Sequence, residues 1–158
     1  MGELPITILV DSNHGHDKLT GKSITGLILF AGRTPIYYQA KCQASVQSTT
    51  FGAEFIALKK GVEEAITTRY YLRTMGVNVS KPTVIYGDNL SAINNIITPG
   101  SQLQKKYLAF AYHFCRKHFS AGIVSIRKIP SKDNYSDAMT KALVSGEFHG
   151  LFNEIMAK

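Results

Sequence analysis

The stretch TVIYGDNLSAI, residues 83–93, decides how the rest of the sequence is interpreted. Its first part, Thr83–Tyr86, is apolar and β-branched, which predicts a short buried strand. Its second part starts a predicted helix, Asn89–Ile97, that stops before Pro99-Gly100. Asp88 lies between the two elements, directly after the strand. In sheets with crossover helices, binding sites form beyond the carboxyl ends of the strands, so this junction is a candidate site.

The residues before this stretch predict three strands joined by turns. Ile6–Val10 is a compact apolar run, and Asp11 follows it directly. Ile24–Ala31 and Ile36–Ala40 are further strand candidates, and turn-forming residues at 32–35 separate them. Because hairpins join consecutive strands, we expect these three strands to pair antiparallel.

Helices and strands alternate in the remainder of the chain. A long helix, roughly Thr50–Met75, is followed by helices at Gln102–Phe119 and Tyr135–Met156, the last interrupted near Gly146, and a strand is predicted at Ile123–Ile129. Strands that return through helices pair parallel. The sequence therefore predicts an α/β fold with a mixed five-stranded sheet, three antiparallel strands and then two parallel ones, flanked by helices. The long helix faces the core with Phe51, Phe55, Leu58, Val62 and Ala65.

Composition predicts a basic, single-domain protein. The 158 residues carry 18 Lys plus Arg against 11 Asp plus Glu, a formal net charge of +7. We expect one domain, residues 1–158, with nucleic acid as the first candidate partner. Cys42 and Cys115 are too few for a disulfide framework and are expected to be reduced, in an intracellular protein. No apolar run reaches the roughly 18 residues of a membrane helix, and Leu4–Val10 lacks the basic leader of a signal peptide.

Four acidic residues are candidates for one metal centre. Asp11 and Asp88 each follow a strand, Glu54 flanks the apolar stripe of the long helix, and Asp137 starts the last helix. Clustered carboxylates repel one another, and burying one is unfavourable unless it is paired or binds a metal. Oxygen ligands suit Mg²⁺ or Mn²⁺ better than zinc. Taken singly, Asp137 is better explained as a helix cap, and Asp88 fits turn chemistry as well as it fits a site.

Several segments resemble the ribonuclease H of copia and Ty1-type retrotransposons. Residues 52–58, GAEFIAL, resemble its E-A-E-Y-x-A-L signature, and residues 85–93, IYGDNLSAI, resemble I-Y-x-D-N-x-S-A-I. Residues 132–141, KDNYSDAMTK, resemble the closing K-x-N-x-A-D-x-x-T-K. The segments occur in the family's order over nearly the whole chain. The resemblance implies a ribonuclease H-like fold whose catalytic, metal-binding D-E-D-D cluster is matched by Asp11, Glu54, Asp88 and Asp137.

The same resemblance implies an activity. In this family the domain belongs to a reverse transcriptase polyprotein and cuts the RNA strand of RNA/DNA hybrids during reverse transcription. It uses two Mg²⁺ ions, with Mn²⁺ as a substitute. Asp11 would bridge both metals, Asp137 would complete the site that activates water, and Glu54 and Asp88 would complete the site that stabilises the leaving oxygen. The implied partners are the hybrid and the polymerase domain of the same polyprotein, with no membrane and no small-molecule cofactor. The implied location is intracellular, in a cytoplasmic virus-like particle or in the nucleus.

The chain departs from the family pattern at several positions. Asp11-Ser12-Asn13 stands where copia relatives have D-A-D-W, Gly52 replaces the first Glu of E-A-E, and Tyr107-Leu108-Ala109 replaces H-I-D. Cellular enzymes carry a His in the loop before the last Asp, and residues 130–136 contain none. The alternative hypothesis is a non-catalytic ribonuclease H-like module with a structural or nucleic-acid-binding role. The complete set of four acids favours an active nuclease.

Polar and basic residues near the acids are candidates for nucleic-acid contacts. Such contacts would recognise the 2′-hydroxyls, the groove width and the phosphates of a hybrid. Turn, cap and solvated surface roles explain the same residues equally well. His14 and His16 follow Asp11 and are expected to be exposed turn residues, although they could stand in for the missing loop His. The candidate contacts are Ser12, Asn13, Thr49, Thr50, Asn89, Ser91, Lys105, Lys106 and Arg116.

Overall fold

A computed structural model describes residues 2–103, 105–141, 145–146, 149–150 and 153 of the chain. Its centre is a five-stranded sheet with the strand order β3-β2-β1-β4-β5. β1 pairs antiparallel with β2 and parallel with β4, β2 pairs antiparallel with β3, and β4 pairs parallel with β5. The predicted α/β class and mixed sheet are confirmed. The strands are β1 (Ile6–Asn13), β2 (Ile24–Ala31), β3 (Thr34–Cys42), β4 (Thr83–Gly87) and β5 (Val124–Lys128).

Within residues 2–141, apart from residue 104, three α-helices flank this sheet. They are α1 (Thr50–Thr74), α2 (Leu90–Ile97) and α3 (Ala109–Ser120), and short 3₁₀ turns occur at Lys106–Leu108, Ser131–Asp133 and Tyr135–Met139. Thr49 caps the start of α1, where its side chain accepts a hydrogen bond from the backbone N–H of Gly52 at 3.1 Å. Among the described residues, no helix combines the length and the apolar character needed to cross a membrane.

The core lies between α1 and the middle strands of the sheet. Phe55, Leu58 and Val62 of the predicted apolar stripe are buried there, as is Ala65, whereas Phe51 is half-buried. Gly61 lets the helix approach the sheet closely, because an added Cβ would lie 3.0 Å from Cγ1 of Val10. Packing of this apolar face, rather than helix propensity, therefore fixes where α1 lies over the strands.

The predicted end of β1 and the predicted start of α3 were wrong. β1 continues to Asn13 instead of ending at Val10, because its antiparallel pairing with β2 extends as far as the pair Asn13–Ile24. Asp11 is therefore a strand residue and does not follow the strand. α3 begins at Ala109 instead of Gln102, since the preceding loop is held by side-chain hydrogen bonds, such as Asn95 Nδ2 to the Gln102 carbonyl at 2.9 Å.

The predicted last helix, Tyr135–Met156, begins as a 3₁₀ turn at Tyr135–Met139. The side chain of Asn134 accepts hydrogen bonds from the backbone N–H and the hydroxyl of Ser136, which favours a tight turn over an α-helix. Most of the remaining predicted helix, namely residues 142–144, 147–148, 151–152 and 154–156, lies outside the described residues.

Residues 135–141, called the closing segment below, lie directly against the backbone of β2. A Cβ added at Gly26 would lie 2.6 Å from Cγ2 of Thr140, 2.8 Å from Cβ of Met139 and 2.8 Å from the carbonyl oxygen of Ser136. Asn134 also reaches the sheet, where its Nδ2 donates to the carbonyl oxygen of Val10 at 2.9 Å. Because Gly26 has no side chain, the closing segment can reach the carboxyl end of β1.

Replacement of Gly26 by Ala tests this contact. We expect Gly26→Ala to lower the free energy of unfolding by roughly 1–3 kcal/mol, because the new methyl group overlaps three atoms of the closing segment. Gly87→Ala in β4 is the control, since its Cβ would be tighter than 3.4 Å only to Cδ2 of Leu58, at 3.2 Å. Urea denaturation measures both. Equal losses in the two variants would show that the closing segment does not press on β2.

Candidate metal centre

Three carboxylates meet at the edge where β1 and β4 end. Asp11 lies in β1, Glu54 near the start of α1, and Asp88 directly after β4. One oxygen from each carboxylate lies within 4.8 Å of the other two. Asp11 and Glu54 are buried, with 1% and 5% of their surfaces exposed, and Asp88 is half-buried. Because β1 and β4 are parallel neighbours, their carboxyl ends share one edge, as the sequence predicted.

Hydroxyl groups orient each of these carboxylates. Ser12 Oγ donates to Glu54 Oε1 at 2.8 Å, and Ser131 Oγ donates to Asp88 Oδ2 at 3.0 Å. The Thr140 hydroxyl donates to Asp11 Oδ2. These bonds fix the orientation of the three carboxylates, and a backbone hydrogen bond from Ser12 also reaches Glu54.

Burial and mutual repulsion raise the pKa values of the two buried acids. Burial, followed by the negative charge of Asp11, raises the pKa of Glu54 to about 8, against the hydrogen bond from Ser12, which lowers it. Burial raises the pKa of Asp11 to about 7, with the Thr140 hydroxyl opposing this rise and Asp137 adding to it. Without a cation, the site therefore holds its negative charge unfavourably near neutral pH.

Asp137, the fourth predicted acid, lies beside Asp11 and is not one of the three grouped carboxylates. Its nearness is evident because its charge and a side-chain contact both raise the pKa of Asp11. Asp137 Oδ2 forms an ion pair with the ammonium of Lys141, with an N–O distance of 3.1 Å. Asp137 Oδ1 is buried and has no hydrogen-bond partner. Within the described part of the chain, the Asp137 carboxylate is therefore only partly neutralised.

Lys141 extends from the closing segment toward these acids. Burial lowers the pKa of its ammonium, but contact with Asp137 and the charges of Asp11, Asp137 and Asp88 raise it overall. The ammonium therefore lies in the electrostatic field of the whole cluster. No role was predicted from the sequence for Lys141, Thr140 or Ser131, although Thr140 and Lys141 are the T-K of the closing motif.

Four of the predicted nucleic-acid contacts already bond within the protein. Ser12 bonds Glu54, and Asn13 Nδ2 donates to the carbonyl oxygen of Thr140 at 3.0 Å. Thr49 caps α1, and Asn89 caps α2 by accepting from the backbone N–H of Ala92 at 2.9 Å. The cap role that the sequence left open is thus present for Thr49 and Asn89, and contact with nucleic acid stays a prediction.

The remaining predicted contacts are four exposed residues and Arg116, which is half-buried and also bonds within the protein. Arg116 Nη1 donates to the carbonyl oxygen of Thr98 at 2.9 Å and to Ser101 Oγ at 2.7 Å, so this nitrogen holds the end of α2. Its predicted contact with phosphates is not tested by this arrangement. The other members of this group are exposed: Thr50, Ser91, Lys105 and Lys106.

The two histidines after Asp11 are exposed and bond outside the carboxylate cluster. His14 Nε2 lies 2.8 Å from the carbonyl oxygen of Gln47, and His16 Nδ1 lies 3.1 Å from Asn13 Nδ2. Neither histidine joins the group of possible metal ligands found in the described part of the chain.

Comparison with solved structures places this fold among ribonuclease H domains. The N-terminal RNase H domain of rv2228c from Mycobacterium tuberculosis aligns with a TM-score of 0.65 at 13% identity, covering 96% of this chain and 98% of that one. LC11-RNase H1 in complex with an RNA/DNA hybrid gives 0.60 at 14% identity, covering 82% and 88%. The protease-reverse transcriptase of prototype foamy virus gives 0.54 at 10% identity, covering 98% and 20%. The fold is therefore that of the ribonuclease H domains.

Comparison with curated proteins finds retrovirus-related Pol polyproteins of plant transposons. RE1 of Arabidopsis thaliana is 27% identical over 92% of this chain and 10% of its own length, and RE2 of the same plant is 28% identical over 84% and 9%. TNT 1-94 of Nicotiana tabacum is 28% identical over 87% and 10%. No protein-family model matches the chain. The chain is thus a homologue of the Pol polyproteins of plant copia-type transposons, which confirms the resemblance, and it spans about a tenth of their length.

The raised pKa values predict how the stability of the metal-free protein depends on pH. Folded Asp11 and Glu54 keep their protons to about pH 7 and pH 8, whereas the same groups ionise near 3.8 and 4.5 when unshifted. The folded state therefore binds more protons in this window, and the free energy of unfolding falls as pH rises from about 4 to about 8.

Glu54→Gln should reduce this fall by roughly 1–3 kcal/mol, because the group that loses its proton is gone. Urea denaturation in EDTA between pH 5 and pH 8 measures the effect. Glu63→Gln is the control, since Glu63 is on the same helix and its carboxylate pairs with Lys59 at 2.7 Å, outside the cluster. Identical pH profiles for wild type and Glu54→Gln would contradict the assigned cause.

Proposed function

We propose that this chain is the ribonuclease H of a long-terminal-repeat retrotransposon polyprotein. Its reaction would be the metal-dependent, endonucleolytic hydrolysis of the RNA strand of RNA/DNA hybrids during reverse transcription. The observation that carries this proposal is the grouping of Asp11, Glu54 and Asp88 within 4.8 Å, at the strand ends of a ribonuclease H fold. The homology to retrotransposon Pol polyproteins supports the same activity.

The donor set fits hard divalent cations. All candidate ligands are carboxylate oxygens, which suit Mg²⁺ or Mn²⁺. The raised pKa values of Asp11 and Glu54 and the unpartnered Asp137 Oδ1 are unfavourable features that bound cations would relieve. We propose two Mg²⁺, replaceable by Mn²⁺, with Asp11 shared between the sites. Asp137 would complete one site, and Glu54 and Asp88 would complete the other.

The protein's own groups prepare this centre for phosphodiester hydrolysis. Thr140, Ser12 and Ser131 hold three carboxylates in fixed orientations before substrate arrives, which lowers the reorganisation needed in the reaction. Bound cations would lower the pKa of the attacking water and stabilise the leaving 3′ oxygen. The products would carry 5′-phosphate and 3′-hydroxyl ends.

Exposed polar and basic residues around the centre would contact the hybrid. An RNA/DNA hybrid is present in the LC11-RNase H1 complex, which supports a hybrid as the substrate of this chain. We propose that Thr50, Ser91, Lys105 and Lys106 contact it directly, since they are exposed, and that Asn13 and Asn89 contribute at the rim. The proposed protein partner is the polymerase domain of the same polyprotein, in a cytoplasmic virus-like particle or the nucleus.

Asp88→Asn tests the proposal most directly. The substitution keeps the size of the side chain and an oxygen for Ser131 to bond, but it removes one negative ligand. We expect at least about a 100-fold loss of cleavage of a labelled RNA/DNA hybrid in Mg²⁺ or Mn²⁺, with hybrid binding retained. Denaturing gels measure cleavage, and fluorescence anisotropy measures binding.

Asp133→Asn is the matched control, because Asp133 is exposed and outside the carboxylate group. It should cleave like the wild-type chain. Equal cleavage by the Asp88→Asn protein would refute the site. A wild-type chain that binds hybrid but cuts none of it with either metal would instead favour the non-catalytic module.

A further inference from the structure

Lys141 is placed to neutralise Asp137, the predicted acid that is not in the group formed by Asp11, Glu54 and Asp88. Its Nζ lies 3.1 Å from Asp137 Oδ2, and its backbone N–H donates to the carbonyl oxygen of Asp137 at 3.0 Å. The backbone bond fixes the start of the lysine side chain one turn beyond Asp137. The ammonium therefore reaches the carboxylate across a short helical spacing, and not by a chance approach of two surface loops.

The neighbouring residue, Thr140, is bound to the other acid at this end of the site. Thr140 is buried, and its hydroxyl donates to Asp11 Oδ2. Consecutive residues of the closing segment thus contact Asp11 and Asp137. Thr140 holds its carboxylate with a neutral group, whereas Lys141 supplies a full positive charge.

The Lys141 side chain is exposed enough to move away from Asp137 into solvent. Its side chain is 46% exposed, whereas that of Asp137 is only 19% exposed. A lysine ammonium on a flexible stem can move into solvent while the carboxylate stays in place. The other carboxylate oxygen, Asp137 Oδ1, is buried without a partner, so Asp137 is only half satisfied by Lys141.

We propose that Lys141 is a built-in counter-ion that occupies the cation position beside Asp137 and must be displaced when a divalent cation binds there. This inference rests on the proposed function, because it takes Asp137 as a metal ligand. It makes Lys141 a positioning residue that sets how tightly the site binds metal. In the metal-free protein, Lys141 reduces the repulsion between Asp137 and Asp11. In the metal-bound protein, its ammonium is released toward solvent and the approaching phosphates.

A purely structural ion pair makes a different prediction. Partly exposed pairs contribute little to stability, and losing one would shift metal-free and metal-bound proteins alike. A competing counter-ion has opposite effects in the two states. Its removal weakens the metal-free protein and strengthens metal binding, since a positive charge no longer opposes the incoming cation.

Lys141→Met tests this difference without using cleavage. Isothermal titration calorimetry measures Mn²⁺ binding to the 158-residue chain without nucleic acid. The melting temperature of the same protein is measured in EDTA and in excess Mn²⁺. We expect Lys141→Met to lower the apparent dissociation constant for Mn²⁺ about tenfold. Its melting temperature should fall in EDTA and recover in Mn²⁺ by more than that of the wild-type chain.

Two variants serve as controls. Lys141→Arg keeps the positive charge and should restore a Mn²⁺ affinity within about threefold of wild type. Lys132→Met removes an exposed lysine from the adjacent 3₁₀ turn and should change neither measurement. If Lys141→Arg binds Mn²⁺ as Lys141→Met does, the shape of the side chain and not its charge sets the affinity for Mn²⁺. That result would overturn the proposal.

The remaining outcomes are equally decisive. Unchanged or weaker Mn²⁺ binding by Lys141→Met overturns the counter-ion role, as does the absence of Mn²⁺ binding by every variant. Failure of the proposed nuclease activity would appear separately, as a wild-type chain that binds Mn²⁺ with the expected Lys141 dependence but leaves the RNA/DNA hybrid uncut.

Discussion

The repulsion between carboxylates at the ends of β1 and β4 is the constraint around which this site is organised. Asp11 and Glu54 are both buried, and oxygens of Asp11, Glu54 and Asp88 come within 4.8 Å of one another. Such a group is unstable as three bare anions, because burial removes water and each charge opposes the next. The raised pKa values of the two buried acids express that conflict. The fold tolerates it because the core beneath α1 and the sheet determines where the backbone of these residues lies.

The closing segment and Asn134 before it complete the site through contacts with β1, β2 and Asp11. Asn134 bonds the backbone of β1, the segment lies on Gly26 of β2, and Thr140 bonds Asp11. These contacts bring residues more than a hundred positions apart in the chain into one cluster. Disturbing the β2 surface therefore also disturbs the position of Asp137, although Gly26 contributes no chemical group to the site. Packing and chemistry are coupled here through a single glycine.

The loop before Asp137 lacks the histidine that cellular enzymes carry there, and a lysine lies beside Asp137. The chain has no histidine at residues 130–136, and His14 and His16 bond elsewhere. Among the residues that the structure describes, a positively charged group beside Asp137 is Lys141, at 3.1 Å. A lysine stays protonated over a wider pH range than a histidine, so it is better suited to hold a charge than to transfer a proton. The proposed role of Lys141 follows from that difference.

The sequence by itself determined the α/β class, the mixed five-stranded sheet and the three acids that meet at its edge, because hydrophobic periodicity and the motifs around Glu54 and Asp88 are local properties of the chain. It could not determine that Asp11 lies inside β1, because the strand end depends on pairing with β2. It also missed the 3₁₀ turn at Tyr135–Met139 and the roles of Thr140, Ser131 and Lys141. The roles of Thr140 and Ser131 were decided only by the tertiary structure, since each depends on a contact between residues distant in sequence, whereas the turn and the Lys141–Asp137 pair are local contacts that the helix prediction concealed. Asp11, Glu54 and Asp88 were therefore predictable as a set, whereas the groups that orient and neutralise the acids were not.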